Sequence, residues 1–144
     1  MVRIPEHLLE AIRQYGERTY PHECCGFLLG TWEGDVLHVQ QIKTIENAYE
    51  ETARTRRYLI RPEDYIQTER EALEQGLDIV GTFHSHPDHP ARPSVTDLAE
   101  ATFPDFLYMI VSVYRGHARE LTAWKLAPDR ETFESVTINQ EVLP

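Results

Sequence analysis

Segments typical of strands and segments typical of helices alternate along this 144-residue chain, and their order restricts the fold more than any other feature. Apolar runs indicate a hairpin in "CCGFLLGTWEGDVLHVQQI", with its turn at "EGD", and a further strand at "LDIVGTFHSH". Two long strands are predicted in "FLYMIVSVYRGHARELTAWKLA", around a turn at "RGH", and a last strand in "TFESVTINQ". Because strands and helices interleave but three strands run together at the end, we expect an α/β (α+β) fold with a mixed sheet.

About three helices are expected to pack on this sheet. Residues 5–18 begin with a proline and place apolar side chains on one stripe. Residues 61–76 form the second predicted helix, which ends at a glycine. Its apolar side chains recur at seven-residue intervals in two pairs, Tyr65 with Ala72 and Ile66 with Leu73. The third helix is predicted from Ser94 to about Thr102.

A polar segment, "ENAYEETARTRR", separates the hairpin from the second helix. It has no hydrophobic period and is predicted to be a loop, followed by a short strand at "RYLI". Its length is near the upper limit for an unstructured connection in a compact domain, and long loops of this kind are often functional.

Composition and charge exclude several classes of function. The formal net charge of −10 argues against a nucleic-acid partner, because such binding depends on clustered Lys and Arg. The first residues are charged and amphipathic, and the longest apolar run, "FLYMIVSVY", is far too short to span a membrane. We therefore expect no membrane association and a single cytoplasmic domain over residues 1–144.

The two cysteines, Cys24 and Cys25, are adjacent, so a bridge between them would be strained. This pattern suits a reducing compartment. We interpret both as small buried side chains on a strand rather than as reactive thiols.

Three histidines lie close together in "GTFHSHPDHPARPSVTD", residues 81–97. Side chains alternate faces along a strand, so His84 and His86 are expected to point the same way. The loop after the strand returns the chain to a helix whose first turn carries Asp97, an oxygen ligand from another direction. His89 is interpreted as a solvated loop residue and is left out of the ligand set.

Two histidines, one carboxylate and an open fourth position describe a catalytic zinc site rather than a structural one. Zinc can lower the pKa of a bound water toward about 7, which supplies hydroxide at neutral pH. The same donors also form the facial triad of non-haem iron(II) oxygenases, so an oxidoreductase is an alternative. Ser94 and Asp97 also fit a capping box, a purely structural explanation.

The sequence H-S-H-P, followed after six residues by S-x-x-D, resembles the signature of the JAMM metallopeptidases. These are the catalytically competent branch of the Mov34/MPN/JAB1 domain family. The segment "YPHECCGFLLG" is similar to the family's P-x-E-x-C-G-x-L-x-G strand, and "ENAYEETARTRRYLIRPEDY" resembles its path from an asparagine to a proline-started helix. The resemblance covers nearly the whole chain and implies one MPN/JAB1-like domain.

Carried over by position, the resemblance implies that His84, His86 and Asp97 bind one Zn²⁺ per chain. It implies that Glu23 is the general acid/base and that Ser94 helps to stabilise the oxyanion. By itself, a glutamate such as Glu23 is typical of an exposed surface carboxylate.

The resemblance implies hydrolysis of a peptide or isopeptide bond at the C-terminal tail of a ubiquitin-like β-grasp protein. Only 47 residues follow Asp97 and predicted strands use most of them, so the inserted segments of eukaryotic deubiquitinating members are expected to be absent. The chain is similar to compact prokaryotic members that process sulfur carriers of the ThiS/MoaD type, including those that release an amino acid such as cysteine. A non-catalytic MPN scaffold that binds such a partner is a further alternative.

Three arginines, Arg54, Arg56 and Arg57, lie in the long polar loop. They are interpreted either as a solvated charged loop or as contacts to acidic groups of the carrier protein.

Overall fold

The computed structural model describes residues 1–101 and 105–141. Within these ranges the chain forms a mixed sheet and three α-helices. The strands are β1 (Val2–Pro5), β2 (Cys25–Glu33), β3 (Val36–Ile45), β4 (Asp78–Pro87), β5 (Leu107–Tyr114), β6 (His117–Leu126), β7 (Phe133–Val136) and β8 (Ile138–Glu141). The helices are α1 (Glu6–Thr19), α2 (Pro62–Glu74) and α3 (Val95–Glu100), and a short 3₁₀ turn occupies Glu51–Ala53.

The described strands follow the order β7-β6-β5-β4-β2-β3-β1-β8 in one sheet. Parallel pairing occurs between β4 and β5 and where β1 meets β3 and β8, while the other neighbours are antiparallel. The predicted mixed sheet is therefore confirmed. Although β7 and β8 lie at opposite edges, a single residue, Thr137, joins them. Because one residue spans at most about 3.6 Å, the sheet must curl until its two edges nearly meet.

Helix α1 packs on one face of the curled sheet. Its predicted stripe of Leu8, Leu9 and Ile12 is buried. The stripe joins a core cluster that includes Phe83 of β4 and Met109 of β5. This packing fixes the helix against the strands and leaves its polar side in solvent, as an amphipathic pattern predicts.

Helix α2 covers the opposite face of β2, where Cys25, Phe27 and Leu29 form a second core cluster with Ala72. Only one of the two apolar pairs of α2 points inward. Tyr65 and Ala72 pack against this cluster, whereas Ile66 and Leu73 are 53% and 73% exposed.

Several sequence predictions differ from the structure. The segment "RYLI" is not a strand, because its main chain bonds to the neighbouring loop, where the Ala48 N–H donates to the Leu59 carbonyl. The single last strand is divided in two at Thr137, and β1 was not predicted. Helix α3 extends to Glu100, and its predicted end near Thr102 lies outside the described residues.

Cys24 and Cys25 are both free and buried, so the interpretation as small core side chains is confirmed. Among residues 1–101 and 105–141, no helix has both the length and the apolarity that a membrane crossing requires.

Candidate metal centre

The strand β4 supplies two histidines from the middle of the sheet. It lies between β2 and β5, and His84 pairs in register with Cys25 on one side and Ile110 on the other. His84 and His86 share a face, as the alternation predicts, and they are 2% and 3% exposed. Ser85 points to the other face, where its Oγ accepts a hydrogen bond from the Cys24 N–H at 2.7 Å.

Helix α3 brings Asp97 to the same place through its N-cap. The Ser94 N–H donates to Asp97 Oδ2 at 2.8 Å, and the Asp97 N–H donates to Ser94 Oγ at 3.0 Å. This reciprocal pair is the capping box that the S-x-x-D pattern also predicted. The same bonds hold the Asp97 carboxylate in one orientation at the start of the helix.

Three potential ligand atoms converge. His84 Nε2 and His86 Nε2 are 3.1 Å apart, and they lie 3.2 Å and 3.0 Å from Asp97 Oδ1 and Oδ2, respectively. Tetrahedral zinc, with ligands at about 2.0–2.1 Å, requires ligand atoms roughly 3.3 Å apart. His84, His86 and Asp97 therefore have the spacing and the chemistry to hold a metal ion.

The hydrogen bonding of His86 supports a cation at this point. His86 Nδ1 lies 2.8 Å from the Pro90 carbonyl oxygen, an acceptor, so Nδ1 carries a proton. In the neutral imidazole, Nε2 then presents a lone pair toward the carboxylate of Asp97. Two acceptors face each other at 3.0 Å only if a proton or a metal ion lies between them.

The charge states of the three ligands follow from burial and from each other. Burial favours neutral Asp97, yet hydrogen bonds from His84 and His86 outweigh it and hold the pKa of Asp97 well below its usual range. Burial lowers the pKa of His84. Burial also acts to lower the pKa of His86, but the contacts with Asp97 and the Pro90 carbonyl raise it overall. The ionised carboxylate and the neutral imidazole that bind metals are thus favoured for Asp97 and His84, whereas a metal ion would have to displace a proton from His86.

Glu23 lies beside this cluster. The Ser85 N–H donates to the Cys24 carbonyl at 3.2 Å, and continuing this register places Glu23 opposite His86. The side chain is 3% exposed, so it is not a surface carboxylate, and Oε1 has no hydrogen-bond partner among the described residues. Burial, opposed by His86 and reinforced by Asp97, raises the pKa of Glu23 to about 8. Such a group can both accept and donate a proton near neutral pH.

The structure adds residues that the sequence pattern did not indicate. The Tyr58 ring stacks on His84, with ring centroids 4.6 Å apart and 24° between the planes. Pro90 contributes a backbone carbonyl, which any residue carries, so no residue type marks this role. His89 lies outside the ligand group and is exposed, although its ring centroid is 5.2 Å from that of His86.

The three loop arginines have different environments. Arg57 pairs with Glu100 and lies over the Tyr49 ring. Arg54 donates from Nε to the Tyr49 carbonyl at 2.7 Å, and Arg56 is exposed.

A cavity of about 500 Å³ opens next to Tyr58, on the face of the sheet that carries His84. Its lining is rich in aromatic rings: Phe27, Tyr49, Tyr58, Tyr65, Phe106 and Tyr108. Such a surface suits an apolar or extended substrate segment.

Comparison with known proteins places the chain in a family. Residues 5–127 match the family described as prokaryotic homologs of the JAB domain. A desampylase of Pyrococcus furiosus is 32% identical over 131 residues, which cover 91% of this chain and 85% of the relative. A CysO-cysteine peptidase of Mycobacterium tuberculosis is 29% identical over 135 residues, covering 93% and 88%.

A solved structure shares the fold of this chain over nearly its whole length. The solution structure of a protein from Salinibacter ruber superposes with a TM-score of 0.77 at 50% identity, covering 96% of this chain and 91% of that one. The predicted MPN/JAB1-like fold is confirmed. With the family match spanning residues 5–127, the chain belongs to the prokaryotic homologues of the JAB domain.

Proposed function

We propose that this protein is a zinc-dependent peptidase that hydrolyses a peptide or isopeptide bond at the C-terminal tail of a ubiquitin-like β-grasp protein of the sulfur-carrier type. As a member of the JAB family whose named relatives are peptidases, it is a hydrolase. The observation that carries the proposal is the buried carboxyl of Glu23, whose Oε1 has no hydrogen-bond partner among the described residues, beside three convergent candidate ligands. A purely structural site has no need of such a group.

His84, His86 and Asp97 would hold one zinc ion per chain, with a fourth position left open. Zinc supplies a Lewis acid there and lowers the pKa of a coordinated water toward about 7. Glu23 accepts the proton of the attacking water and returns it to the leaving amine. In the metal-free site burial raises the pKa of Glu23 to about 8, and a bound cation would favour its ionised form, which accepts the proton.

Ser94 is assigned to the carbonyl oxygen of the scissile bond. Its Oγ already accepts a hydrogen bond from the Asp97 N–H, so its own hydroxyl proton is directed elsewhere. The side chain is exposed beside a ligand, where an incoming carbonyl can reach it. Donation to that oxygen would stabilise the oxyanion as the carbonyl is attacked.

The substrate class follows from the family and the surface. The relatives are named a desampylase and a CysO-cysteine peptidase, and the second name denotes hydrolysis beside a cysteine. The aromatic cavity beside Tyr58 can take part of an extended tail.

We also propose that residues 1–144 act as one domain in the cytoplasm, which the two free, buried cysteines support.

The test uses the zinc-loaded protein and β-grasp carriers that bear added C-terminal residues. Mass spectrometry is expected to show the shortened carrier together with the released residues, and Glu23→Gln is expected to retain zinc but lose cleavage. If no carrier is cut, or if Glu23→Gln cuts as fast as the wild type, the proposal fails.

Metal analysis of the purified protein separates the alternatives. Zinc with hydrolysis agrees with the proposal, whereas iron with oxygen-dependent turnover would support an oxygenase. A non-catalytic scaffold would bind the carrier without cutting it, yet the site retains both its ligand set and Glu23.

A further inference from the structure

One buried side chain, Asn47, makes four hydrogen bonds around the candidate centre. Its Nδ2 donates to the carbonyls of Glu23 at 3.1 Å and Arg57 at 2.9 Å. Its Oδ1 accepts from the N–H groups of Tyr49 at 3.0 Å and Leu59 at 3.1 Å. An amide offers two donor hydrogens and two acceptor lone pairs, so Asn47 is fully used. A saturated, buried polar group of this kind holds its partners in one arrangement.

Two of these bonds flank Tyr58. Asn47 holds the carbonyl of Arg57 and the N–H of Leu59, which are the main-chain groups on either side of that residue. The position of the Tyr58 ring therefore depends on Asn47. That ring is the one stacked on His84 at 4.6 Å.

The stacking matters because the two histidine ligands are held differently. His86 donates from Nδ1 to the Pro90 carbonyl at 2.8 Å. Nδ1 of His84 is buried and has no hydrogen-bond partner among the described residues. Metal-binding histidines usually owe their orientation to a hydrogen bond from the second ring nitrogen. For His84 the flat face of Tyr58 replaces that bond.

A third hydrogen bond of Asn47 is made to the main chain of Glu23, the proposed proton-transfer residue. Glu23 precedes β2, so it lies outside the ladder of that strand. Its main chain is instead tied to the long loop, through Asn47 on the carbonyl and through the Arg54 carbonyl, which accepts the Glu23 N–H at 2.7 Å.

We propose that Asn47 is a positioning residue that joins the two halves of the site: it places Glu23 directly, and it places His84 through Tyr58. This inference rests on the proposed metal site and adds a residue to it. The side chain has to be an amide of this length. Aspartate cannot donate to the two carbonyls, and glutamine is one methylene too long for the same four partners.

The experiment measures zinc affinity by competition with a chromophoric chelator, in Asn47→Ala, Tyr58→Leu and the double variant. Each single change is expected to weaken zinc binding about 10–100-fold, as loss of a ligand's supporting contact does. Because both act on His84 through the same ring, the double variant is expected to bind zinc no more weakly than Tyr58→Leu alone. Tyr58→Phe keeps the ring and is expected to retain wild-type affinity and an unchanged cobalt(II) absorption spectrum.

Carrier cleavage gives the second readout. Asn47→Ala in the Tyr58→Leu background is expected to lower kcat further, with KM unchanged, because it still displaces Glu23. Asn139→Ala is the matched control, since that exposed asparagine bonds to Met1 at the far edge of the sheet. Asn139→Ala is expected to change neither kcat nor KM.

The inference is overturned if Asn47→Ala weakens zinc binding by the same factor with and without Tyr58, or if it leaves both zinc affinity and the cobalt spectrum unchanged. If Asn47→Ala does not fold, Asn47→Asp is used in its place, because aspartate can still accept the two hydrogen bonds from Tyr49 and Leu59. A comparison of Tyr58→Leu with Tyr58→Phe still tests the stacking step. A wild type that binds zinc but cuts no carrier refutes the proposed function, while the affinity cycle still decides the role of Asn47.

Discussion

Replacing Glu23 with glutamine is expected to stabilise the metal-free protein at neutral and alkaline pH. In the folded state, burial raises the pKa of this carboxyl from 4.5 to about 8. In the unfolded chain it ionises near its ordinary value. At a pH between these two pKa values, the unfolded state has released a proton that the folded state retains. The wild type therefore loses stability as the pH rises. Glutamine does not titrate, and the variant escapes this loss.

The size of the effect follows from the distance between the two pKa values. They lie roughly 3.5 pH units apart, and each unit corresponds to about 1.36 kcal/mol. The free energy of unfolding of Glu23→Gln, relative to wild type, is therefore expected to increase by about 3–5 kcal/mol between pH 4.5 and pH 8.5. Any fixed cost of burying the amide is the same at every pH and does not alter this change.

Urea unfolding of chelator-treated protein at pH 4.5, 6.5 and 8.5 measures the effect. Glu69→Gln, which removes an exposed carboxylate in the middle of α2, is the control. Added zinc is expected to reduce the difference, because a nearby cation favours the ionised carboxylate. An equal stability difference at pH 4.5 and 8.5 would mean that Glu23 is not held neutral by burial, and the reasoning would be refuted.

Three further predictions concern the ligand helix and the loop. Ser94→Ala is expected to lower kcat about 10²–10³-fold, because the oxyanion donor is lost. It is also expected to lower the free energy of unfolding by about 1 kcal/mol, because the helix cap is lost. Ser94→Thr keeps the hydroxyl and is expected to recover both kcat and stability. Asp97→Asn should abolish stoichiometric zinc binding in metal analysis while leaving the sheet folded by circular dichroism. Arg56→Ala should raise KM for the carrier with kcat unchanged, and an unchanged KM would assign the exposed arginine to solvent alone.

If Asp97 binds the metal as proposed, metal binding and local helix stability are interdependent. Its Oδ2 accepts the Ser94 N–H and also faces His86. A ligand placed in a capping box is oriented by the helix itself, so the carboxylate does not depend on a further residue for its direction. His84, in contrast, stacks against Tyr58, a ring from a distant loop.

Local patterns in the sequence predicted those parts of the site that depend on neighbouring residues. Strand alternation placed His84 and His86 on one face, and the S-x-x-D spacing predicted the cap that orients Asp97. The apolar stripe of α1 and the two hairpins followed from the same periodicities. Each of these properties is set by backbone geometry within one or two turns or one strand.

Contacts between distant segments were decided only by the tertiary structure. The burial of Glu23 beside His86, the Tyr58 ring on His84 and the four bonds of Asn47 join loops and strands that no sequence period relates. The tertiary structure also decided that Tyr65 and Ala72, and not the equally periodic Ile66 and Leu73, face the core. It likewise decided the break at Thr137, where the curled sheet brings its edges together. Periodicity states which side chains share a face, but the face that becomes buried depends on what the rest of the chain packs against it.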